Sequence, residues 1–436
     1  MGCGEAKLPR LCYREEPMRI AMITAHSSPL AALGGKEAGG MNVYVRELSR
    51  ELGRRGIAVD IFTRAQSPDD PMVVALDRGV RVVNLHAGPA APYDKNWLLA
   101  YLPEFVGRAR CFADGEDLTY DLIHSHYFIS GEAALALRRS WGAPVVHMFH
   151  TLGAMKNQVA RAAEELETEQ RVEVERRLMS EVDAVVAATP LDRAQMVWHY
   201  GADASRIRVI PCGVDLRRFH PRDMAAAREA LDLPPPPHRL LLLVGRIEPL
   251  KGIDALIKAV GLLFERRPEW RGNLTALIVG GGREGDRARW NAEQRRLDGL
   301  RASLGLRDAV RFLGARPQEQ LPLLYAAADI VTMPSHYESF GMAALEGIAS
   351  GRPVVATSAG GPAYIVEDGV SGLLTPPDRP AQLADRLELL LADDTRREQM
   401  GQAAAERARR FSWPVVACDI LQVYREVLAT RRRVAV

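Results

Sequence analysis

Short runs of apolar residues alternate along the chain with longer segments in which apolar residues recur every three to four positions. In the first half the short runs are typical of buried strands, and they lie at 19–24, 57–63, 80–85, 121–126, 144–150, 184–188 and 207–210. Helical spacing between them covers 41–53, 97–112, 130–141, 157–181 and 191–199. Strands that alternate with helices in this way predict a parallel, doubly wound sheet of the Rossmann type.

The same alternation starts again after a proline-rich segment at 233–237. The predicted strands of this second series lie at 239–245, 274–280, 310–313, 329–333 and 353–357, with helical segments between them. Two Rossmann-like domains in series are therefore expected, at 19–215 and 216–411, after an N-terminal extension at 1–18. Ligands of such sheets bind beyond the carboxyl ends of the strands, so the cleft between the domains is the expected site.

Composition and charge narrow the class of protein. The chain has 436 residues, enough for two or three domains, and its 47% apolar and 26% charged residues are ordinary for a globular protein. A net charge of +2 gives no reason to expect nucleic acid or an anionic membrane as the main partner. The five scattered cysteines indicate neither a disulfide frame nor a zinc site. Because 1–18 lacks the apolar core of a signal peptide and no apolar run reaches membrane-spanning length, a cytoplasmic protein without a transmembrane segment is expected.

The segment 334–346 carries the most distinctive chemistry. It follows a buried-strand pattern and turns helical after Gly341, so Glu338 lies on a strand-to-helix loop and Glu346 about two helical turns further on. The helix N-terminus presents backbone N–H groups near Phe340 and Gly341. A loop carboxylate, free amides and a deeper carboxylate suit a polyhydroxyl ligand better than a bare anion. The alternative is that both glutamates only complement the helix dipole.

The segment 245–252 leaves the first strand of the second domain with two cations, Arg246 and Lys251. Two cations beside a helix N-terminus form a good clamp for a diphosphate, and the alternative is a solvated basic loop. Lysine occurs only six times in the chain, so its presence at this strand end favours the clamp. In the first domain Gly39 and Gly40 precede a helix, where backbone amides can approach a phosphate closely. Taken alone, that glycine pair is weak evidence.

Polar residues also follow two strands of the first domain. His124, His126 and Tyr127 lie at the end of one strand, and His150 and Thr151 lie at the end of the next. A histidine at a strand end is often structural, and this is the interpretation preferred for His124, while both interpretations stay open for His126. His150 is predicted to project into the cleft.

A second glycine pattern suggests a different ligand. Gly280, Gly282 and Gly285 fit G-x-G-x-x-G after a strand, which is the fingerprint of dinucleotide binding. The fingerprint also needs an acidic residue near the end of the next strand, to hold the ribose, but that strand is followed by the basic Arg316. NAD is therefore disfavoured, whereas the 2′-phosphate of NADP remains compatible with these residues.

Taken together, these residues resemble the retaining glycosyltransferases of the GT-B fold, in family 4. The resemblance covers nearly the whole chain, and its marks are the E-x7-E pair of glutamates, the cationic segment 245–252 and the glycine turn 358–362. Two N-terminal motifs, at 38–44 and 124–127, more narrowly resemble the members of the family that act on an inositol phosphate. The resemblance implies an α/β protein in which two Rossmann-like domains face each other across a cleft, with a C-terminal helix at 412–436 that returns to the first domain.

The resemblance also implies a donor site built by both domains. Glu338 and the amides of Phe340 and Gly341 would hold the hydroxyls of the donor sugar, and His150 would touch this sugar near the reacting carbon. The other implied roles are a diphosphate site at Arg246, Lys251 and the Gly40 amide, a ribose contact at Glu346 and a uracil contact at Arg316. The implied catalytic residues are Glu338, His150, Arg246 and Lys251.

On the acceptor side the resemblance implies a group that grips a phosphate, made of Lys95, Tyr127, Thr151 and Arg171. Asn42 would contact an acceptor hydroxyl. Lysine, arginine and two hydroxyls are a credible phosphate pocket on their chemistry alone. The register of Lys95 is open by a residue or two, and two further arginines follow Arg171 on its helix.

We expect transfer of a sugar, GlcNAc or glucose, from a UDP-sugar to a hydroxyl of a small phosphorylated acceptor such as an inositol phosphate or a sugar phosphate, with retention. The chain has no D-x-D motif, so no metal site is predicted and no cofactor is required, which leaves room for stimulation by Mg²⁺. Cations and helix amides would stabilise the leaving group instead. No evident carboxylate of the first domain could act as the nucleophile of a retaining hydrolase. A front-face path, in which the departing phosphate helps to deprotonate the acceptor, fits better.

Three alternatives remain open. One is a sugar-nucleotide epimerase with the GT-B fold, and another is an NADP-linked enzyme that uses the Gly280 loop. The third is a transferase with a lipid or glycan acceptor at the membrane surface, although the apolar helix at 97–112 is poor in the basic residues that such a contact needs. The expected partners are a nucleotide sugar and a small polar acceptor, and a homodimer is compatible with the sequence.

Overall fold

The structure is a computed structural model that describes residues 18–31, 39–91, 97–160 and 163–434. Within these residues the strands form two sheets, one of eight strands and one of six. The first sheet contains β1 Arg19–Ile23, β2 Ala58–Arg64, β3 Val73–Asp77, β4 Val80–Leu85, β5 Leu122–His126, β6 Val145–Met148, β7 Ala184–Ala187 and β8 Ile207–Val209. The second contains β9 Arg239–Val244, β10 Leu274–Val279, β11 Val310–Gly314, β12 Ile330–Met333, β13 Val354–Thr357 and β14 Gly372–Thr375.

Both sheets have the predicted doubly wound order. The first runs β3-β4-β2-β1-β5-β6-β7-β8 and the second runs β11-β10-β9-β12-β13-β14. Neighbouring strands are parallel, except that β3 is antiparallel to β4. The carboxyl ends of β1, β5 and β6 therefore lie side by side, as do those of β9 and β12, and the functional residues are expected there.

Helices connect the strands. In the described residues they are α1 Gly40–Arg54, α2 Leu98–Gly115, α3 Phe128–Trp141, α4 Gly153–Val159, α5 Glu169–Glu181, α6 Pro190–Tyr200, α7 Met224–Ala230, α8 Ile253–Arg266, α9 Ala292–Ser303, α10 Leu321–Ala327, α11 Met342–Ala349, α12 Pro362–Ile365, α13 Pro380–Leu391, α14 Asp394–Ala408 and α15 Trp413–Val434.

The apolar core joins the two sheets. Successive residues of a strand point to opposite faces of the sheet, and accordingly Ile20 and Met22 enter one buried cluster while Ala21 and Ile23 enter another. The cluster of Ile20 continues into the second sheet, where it includes Leu240. One core therefore runs between the sheets and holds them next to each other.

The last helix, α15, returns from the second sheet to the first and packs against α1. The hydroxyl of Tyr424 lies 2.7 Å from Nδ1 of His124, in a hydrogen bond. At the start of α15 the ring of Trp413 meets the ring of Tyr44 edge-on, with 5.5 Å between centroids.

The structure corrects one predicted helix and adds two strands. The helix predicted at 157–181 is two helices, α4 and α5, because the hydroxyl of Thr168 accepts a hydrogen bond from the N–H of Arg171 at 3.2 Å and so starts a new helix. Strands β3 and β14 are absent from the prediction, and both lie at an edge of their sheet; β3 is half-exposed, and β14 begins with a glycine, which weakens the strand pattern. The other predicted strands and helices of the first half lie within a few residues of the observed bounds.

Candidate functional site

The segment 334–346 forms the loop after β12 and the first turns of α11, as predicted. Gly341 precedes the helix with φ +104°, a backbone conformation that glycine adopts without strain. Glu338 lies on the loop and Glu346 lies in the second turn of α11. The first N–H groups of α11 have no partner within the helix, so they are directed out of its N-terminus.

The loop between β9 and α8 brings a cation to Glu338. Lys251 ends a short 3-10 turn, and its Nζ lies 2.5 Å from Oε2 of Glu338. Gly252 makes this approach possible, since it has φ +61° and a Cβ there would lie 2.1 Å from the carbonyl oxygen of Pro334. The two predicted residues of the diphosphate and sugar sites are therefore neighbours.

A glycine turn at 358–362 supports the Glu338 loop. The N–H of Gly361 in this turn donates to the carbonyl oxygen of Glu338 at 2.7 Å. Glu338 is thus held through its backbone by the turn and through its carboxylate by Lys251.

Two other predicted cations lie on loops at the carboxyl ends of the second sheet. Arg246 pairs with Glu248 of its own loop at 2.9 Å, and the Arg246 side chain is 46% exposed. Arg316 follows β11, where burial and the neighbouring cation Arg283 lower the pKa of Arg316. Together with Lys251, these residues place three cations at this edge of the second sheet, two of them paired with Glu248 and Glu338.

Glu346 lies deeper, in a pocket between the two domains. Its side chain is buried, and its Oε2 accepts a hydrogen bond from the hydroxyl of Tyr325 at 2.8 Å. Burial raises the pKa of Glu346 to about 7, although the bond from Tyr325 acts in the opposite direction. The pocket measures about 260 Å³ and is lined by both domains, with Glu47, Asp215, Arg218, Gln318, Met342 and Glu346 among its residues. A carboxyl group that exchanges its proton near neutral pH can accept from one hydroxyl or donate to another.

The N-terminus of α1 meets that of α11 across the cleft. A Cβ on Gly40 would lie 3.1 Å from Cγ of Met342, the first residue of α11. Two electropositive helix ends therefore face each other at this point. Asn42 is buried nearby, where its Nδ2 donates to Oγ of Ser27 at 2.6 Å and its Oδ1 accepts from the N–H of Gly39 at 2.9 Å. Its amide thus holds the start of α1, and its contact with an acceptor hydroxyl stays a prediction.

His150 and Thr151 line a second pocket at the cleft. This pocket also measures about 260 Å³, and its residues include His150, Thr151, Asp192, Tyr337 and Ser339. His150 has φ +62°, which is uncommon for a residue with a side chain. Burial lowers the pKa of His150 to about 3, so its ring is neutral at pH 7. Since 337–346 contributes to both pockets, the two pockets share one wall of the cleft.

Three residues predicted to hold an acceptor phosphate come together in the first domain. The guanidinium of Arg171 donates to the hydroxyls of Tyr127 and Thr151, each at 3.0 Å. The same group pairs with Glu167 and Glu175 at 2.8 Å, and it is buried. The predicted convergence of one arginine and two hydroxyls is therefore present, with two carboxylates around it.

Two charged residues without a distinctive sequence pattern complete this group. Lys156 pairs with Glu167, so this carboxylate lies between two cations, Lys156 and Arg171. Lys156 is on α4 and Glu167 precedes α5, and only the break between these helices brings them together. Lys95, the remaining member of the predicted phosphate group, lies outside the described residues.

The pocket of His150 also contains a carboxylate of the first domain that the sequence pattern does not single out. Asp192, in the first turn of α6, lines the same pocket as His150. Burial raises the pKa of Asp192 to about 7, against the hydrogen bond with Thr189. The T-x-x-D spacing is a signal for a helix cap, but it does not reveal that the carboxylate faces the cleft.

The G-x-G-x-x-G segment does not build a dinucleotide site. In the fingerprint a helix opens directly after the strand, whereas here α9 begins only at Ala292. A Cβ on Gly280 would lie 1.9 Å from the carbonyl oxygen of Gly245, so this glycine allows two loops to pack together. The glycine pattern therefore has a packing explanation, and the NADP alternative loses its main support.

The described part of the chain was compared with the arrangements that metal sites and membrane-spanning helices require. No group of three or more His, Cys, Asp or Glu side chains in it is arranged to hold a metal ion. None of its helices combines the length and the apolar character needed to cross a membrane. The apolar face of α2 is buried through Leu98, Leu102 and Phe105, so core packing accounts for it.

Comparison with known families gives two matches. Residues 38–218 match the model described as Glycosyltransferase Family 4, and residues 229–407 match the model described as Glycosyl transferases group 1. The D-inositol 3-phosphate glycosyltransferase of Saccharomonospora viridis is 41% identical over 424 residues, which cover 96% of this chain and 96% of that protein. The protein of the same name from Corynebacterium glutamicum (strain R) is 40% identical over 414 residues, which cover 94% of this chain and 97% of that protein.

Solved structures confirm the predicted GT-B fold. Sucrose-phosphate synthase from Thermosynechococcus elongatus superposes with a TM-score of 0.85 and 35% identity, covering 95% of this chain and all of that one (100%). Anabaena HepE, whose structure contains UDP and glucose, superposes with a TM-score of 0.72 and 22% identity, covering 94% of this chain and 100% of that one. The second likeness shows the fold alone.

Proposed function

We propose that this chain, which belongs to glycosyltransferase family 4, transfers GlcNAc or glucose from a UDP-sugar to a hydroxyl of an inositol phosphate, with retention at the anomeric carbon. That the chain is a glycosyltransferase follows from the family, and the donor, the acceptor and the stereochemistry are the proposal. One observation carries it. The Lys251–Glu338 pair lies at the cleft in the second domain, and the cluster of Arg171, Tyr127 and Thr151 lies in the first.

On the donor side, positive groups are placed where negative charge develops. As the bond to the sugar breaks, charge grows on the diphosphate, and Lys251, Arg246 and the N-terminus of α11 would stabilise it. Glu338 would then accept hydrogen bonds from the sugar hydroxyls while Lys251 turns to the diphosphate. Glu346, in the neighbouring pocket, would bind the ribose diol.

On the acceptor side, the carboxylate of Glu167 occupies the position between Lys156 and Arg171 that suits a phosphate. A phosphate dianion carries more charge than a carboxylate and more acceptor oxygens, so it competes well for these two cations. Thr151 joins the two sites, because its hydroxyl bonds Arg171 and it lines the pocket of His150. The relatives are named for D-inositol 3-phosphate, which is an acceptor of this kind.

The residues at the cleft favour a front-face path over a covalent intermediate. A double displacement needs an ionised carboxylate against the anomeric carbon. Asp192 is ill suited to this role, since it is hydrogen-bonded with Thr189 and burial raises its pKa to about 7. In the path we propose, the sugar–phosphate bond breaks, the acceptor oxygen bonds the same face of the sugar, and the departing phosphate oxygen takes the acceptor's proton.

Release of UDP tests both substrates. We expect UDP-GlcNAc or UDP-glucose to release UDP only when D-inositol 3-phosphate is present, while GDP-mannose stays intact. Glu338→Gln should lower kcat/KM roughly tenfold to a hundredfold, the loss typical of a hydrogen bond to a charged group. Glu319→Gln is the matched control, since Glu319 is an exposed carboxylate of the same domain. Release that requires lipid vesicles or a glycan instead, or interconversion of UDP-sugars without acceptor, would overturn the proposal in favour of the membrane-surface transferase or the epimerase.

Thr151→Val tests the acceptor site separately from the donor site. Valine keeps the shape of threonine but loses the hydroxyl that bonds Arg171, so the KM for inositol phosphate should rise about tenfold. The KM for the donor should change little. Thr430→Val is the control, because Thr430 is exposed on the last helix. A KM for inositol phosphate equal to that of the unmodified protein would contradict the acceptor assignment.

A further inference from the structure

Three side chains at neighbouring strand ends of the first sheet form a chain of contacts that leads to the cleft. Met22 is on β1, His126 ends β5, and His150 follows β6, which are adjacent strands in this order. Nε2 of His126 lies 2.8 Å from Sδ of Met22, and Nδ1 of His126 lies 3.0 Å from Nε2 of His150. Met22 and His126 are buried completely, while His150 is partly exposed and lines the pocket with Tyr337 and Ser339.

The protons in the contacts between Met22, His126 and His150 can be assigned, because the side chain of Met22 is a thioether. A thioether sulfur accepts hydrogen bonds and has no proton to donate. Both imidazoles are neutral, since burial lowers the pKa of His126 well below its ordinary value and lowers that of His150 to about 3. His126 therefore has one proton, which is on Nε2 and points to Met22. Its Nδ1 must then accept, so the proton of His150 is on Nε2.

The second nitrogen of His150, Nδ1, is left with a lone pair. Among the described residues it has no hydrogen-bond partner, in contrast to Nε2. The backbone of His150 is in the left-handed region, with φ +62°, and non-glycine residues held in this conformation are concentrated at functional sites. The ring is thus held in one orientation and one tautomer at the wall of the cleft.

We propose that Met22 and His126 are positioning residues that fix His150 as the Nε2–H tautomer, so that its Nδ1 accepts a hydrogen bond from a hydroxyl of the transferred sugar. The proposal rests on the proposed function for the identity of the ligand. The family resemblance already implies that His150 touches the donor sugar, and the proposal adds the role of Met22 and His126, which makes the sugar the hydrogen-bond donor at this position. A hydroxyl is accepted there, and an ether or a fluorine, which has no proton, is not.

Nitrogen NMR of the full chain labelled with ¹⁵N-histidine tests the tautomer without any substrate. We expect the His150 signals to show a proton on Nε2 and none on Nδ1. His126→Asn keeps an acceptor oxygen near the position of Nδ1 and should preserve this pattern, while His126→Phe keeps the ring but removes the acceptor and should lose it. His147→Asn is the control, since His147 is a buried histidine of β6 bonded to Ser125 and lies outside the chain of contacts. A proton on Nδ1 of His150 in the unmodified protein would overturn the proposal.

Kinetics with fluorinated donors test the consequence for the sugar. The probes are UDP-sugars in which one hydroxyl is replaced by fluorine. With the unmodified protein, kcat/KM should be about tenfold lower for one of these analogues than for the natural sugar. This difference should be smaller in His126→Phe and should remain in His126→Asn. If His126→Phe does not fold, Met22→Leu is used in its place, because leucine removes the sulfur acceptor with little change of shape. The expected tautomer without any sugar transfer would refute the proposed function alone. The expected transfer, with every fluorinated donor used equally, would refute the role of His150 Nδ1 alone.

Discussion

At the scale of single residues, the buried carboxyl of Glu346 combines a ligand contact with a cost in stability. Its partner Tyr325 supplies one hydrogen bond at 2.8 Å, which leaves the rest of the carboxyl to a ligand such as a ribose diol. Burial disfavours ionisation more than the hydrogen bond from Tyr325 and the charge of Arg218 favour it, and this is why the pKa of Glu346 rises to about 7. Because this pKa differs from the ordinary value, the ionisation of Glu346 can be detected in the pH dependence of stability.

Glu346→Gln is expected to change how stability depends on pH. Between the ordinary pKa of 4.5 and the folded value of about 7, the folded protein holds a proton that the unfolded chain has lost, so the stability of the unmodified protein falls as pH rises. The contribution is complete below pH 4.5 and is lost above pH ~7, and it amounts to roughly 3 kcal/mol. The glutamine variant lacks it. The Tm of the variant minus that of the unmodified protein should therefore increase from pH 4.5 to pH 7.5, and an equal difference at both pH values would contradict the assignment.

At the scale of elements, the geometry of the loop after β9 decides whether Lys251 reaches the carboxylate of Glu338. Gly252 lets the segment after β9 pass directly against the end of β12, and this close passage places Lys251 beside Glu338. The strand order β9-β12 makes these two loops neighbours. The pair therefore depends on a missing Cβ as much as on the two charged groups.

Gly252→Ala should separate Lys251 from Glu338. The new Cβ would lie 2.1 Å from the carbonyl oxygen of Pro334, so the loop must move, and the KM for the donor should rise about tenfold or more as one charged contact is lost. Gly305→Ala is a matched control, because Gly305 also has positive φ, +66°, but has nothing within 4 Å of its Cβ position. Both variants carry the strain of a left-handed alanine, about 1 kcal/mol, and only Gly252→Ala has the clash. Equal donor KM values for the two variants would refute this account.

Sequence patterns predicted most strands and helices well, because parallel strands buried on both faces form short apolar runs and the apolar face of a helix repeats every 3.6 residues. Glu338 and Lys251 could be singled out because charged residues on loops after strands are conspicuous, and Glu346 because of its spacing from Glu338. Asp192 could not, since its position at the cleft depends on how α6 packs. Lys156 and Glu167 could not either, because helical spacing continues through the break at Thr168 that brings them together.

At the scale of the whole molecule, the two domains share an apolar core and also meet through a polar contact beside the pocket of Glu346. Arg46 of α1 donates to Oε1 of Gln318, which follows β11. At the start of the same helix, a Cβ on Gly40 would lie 3.1 Å from Cγ of Met342. Closure of such a cleft brings donor and acceptor together and excludes water, so these contacts should influence how often the closed form is present.

Gln318→Ala is expected to favour a more open molecule. The change removes the acceptor of the Arg46 bond across the cleft, and a hydrogen bond to a charged group that is partly exposed can shift the balance of two domain positions by about 1 kcal/mol. Small-angle X-ray scattering should show a larger radius of gyration than that of the unmodified protein, and the Kd for UDP should rise roughly threefold to tenfold. Saturating UDP should bring the two radii closer together, since a ligand bound by both domains favours the closed form. Gln320→Ala serves as the control, because Gln320 is exposed in the same loop. Identical scattering of the Gln318 and Gln320 variants would mean that the apolar core shared by the two sheets, rather than the polar contacts, sets the distance between the domains.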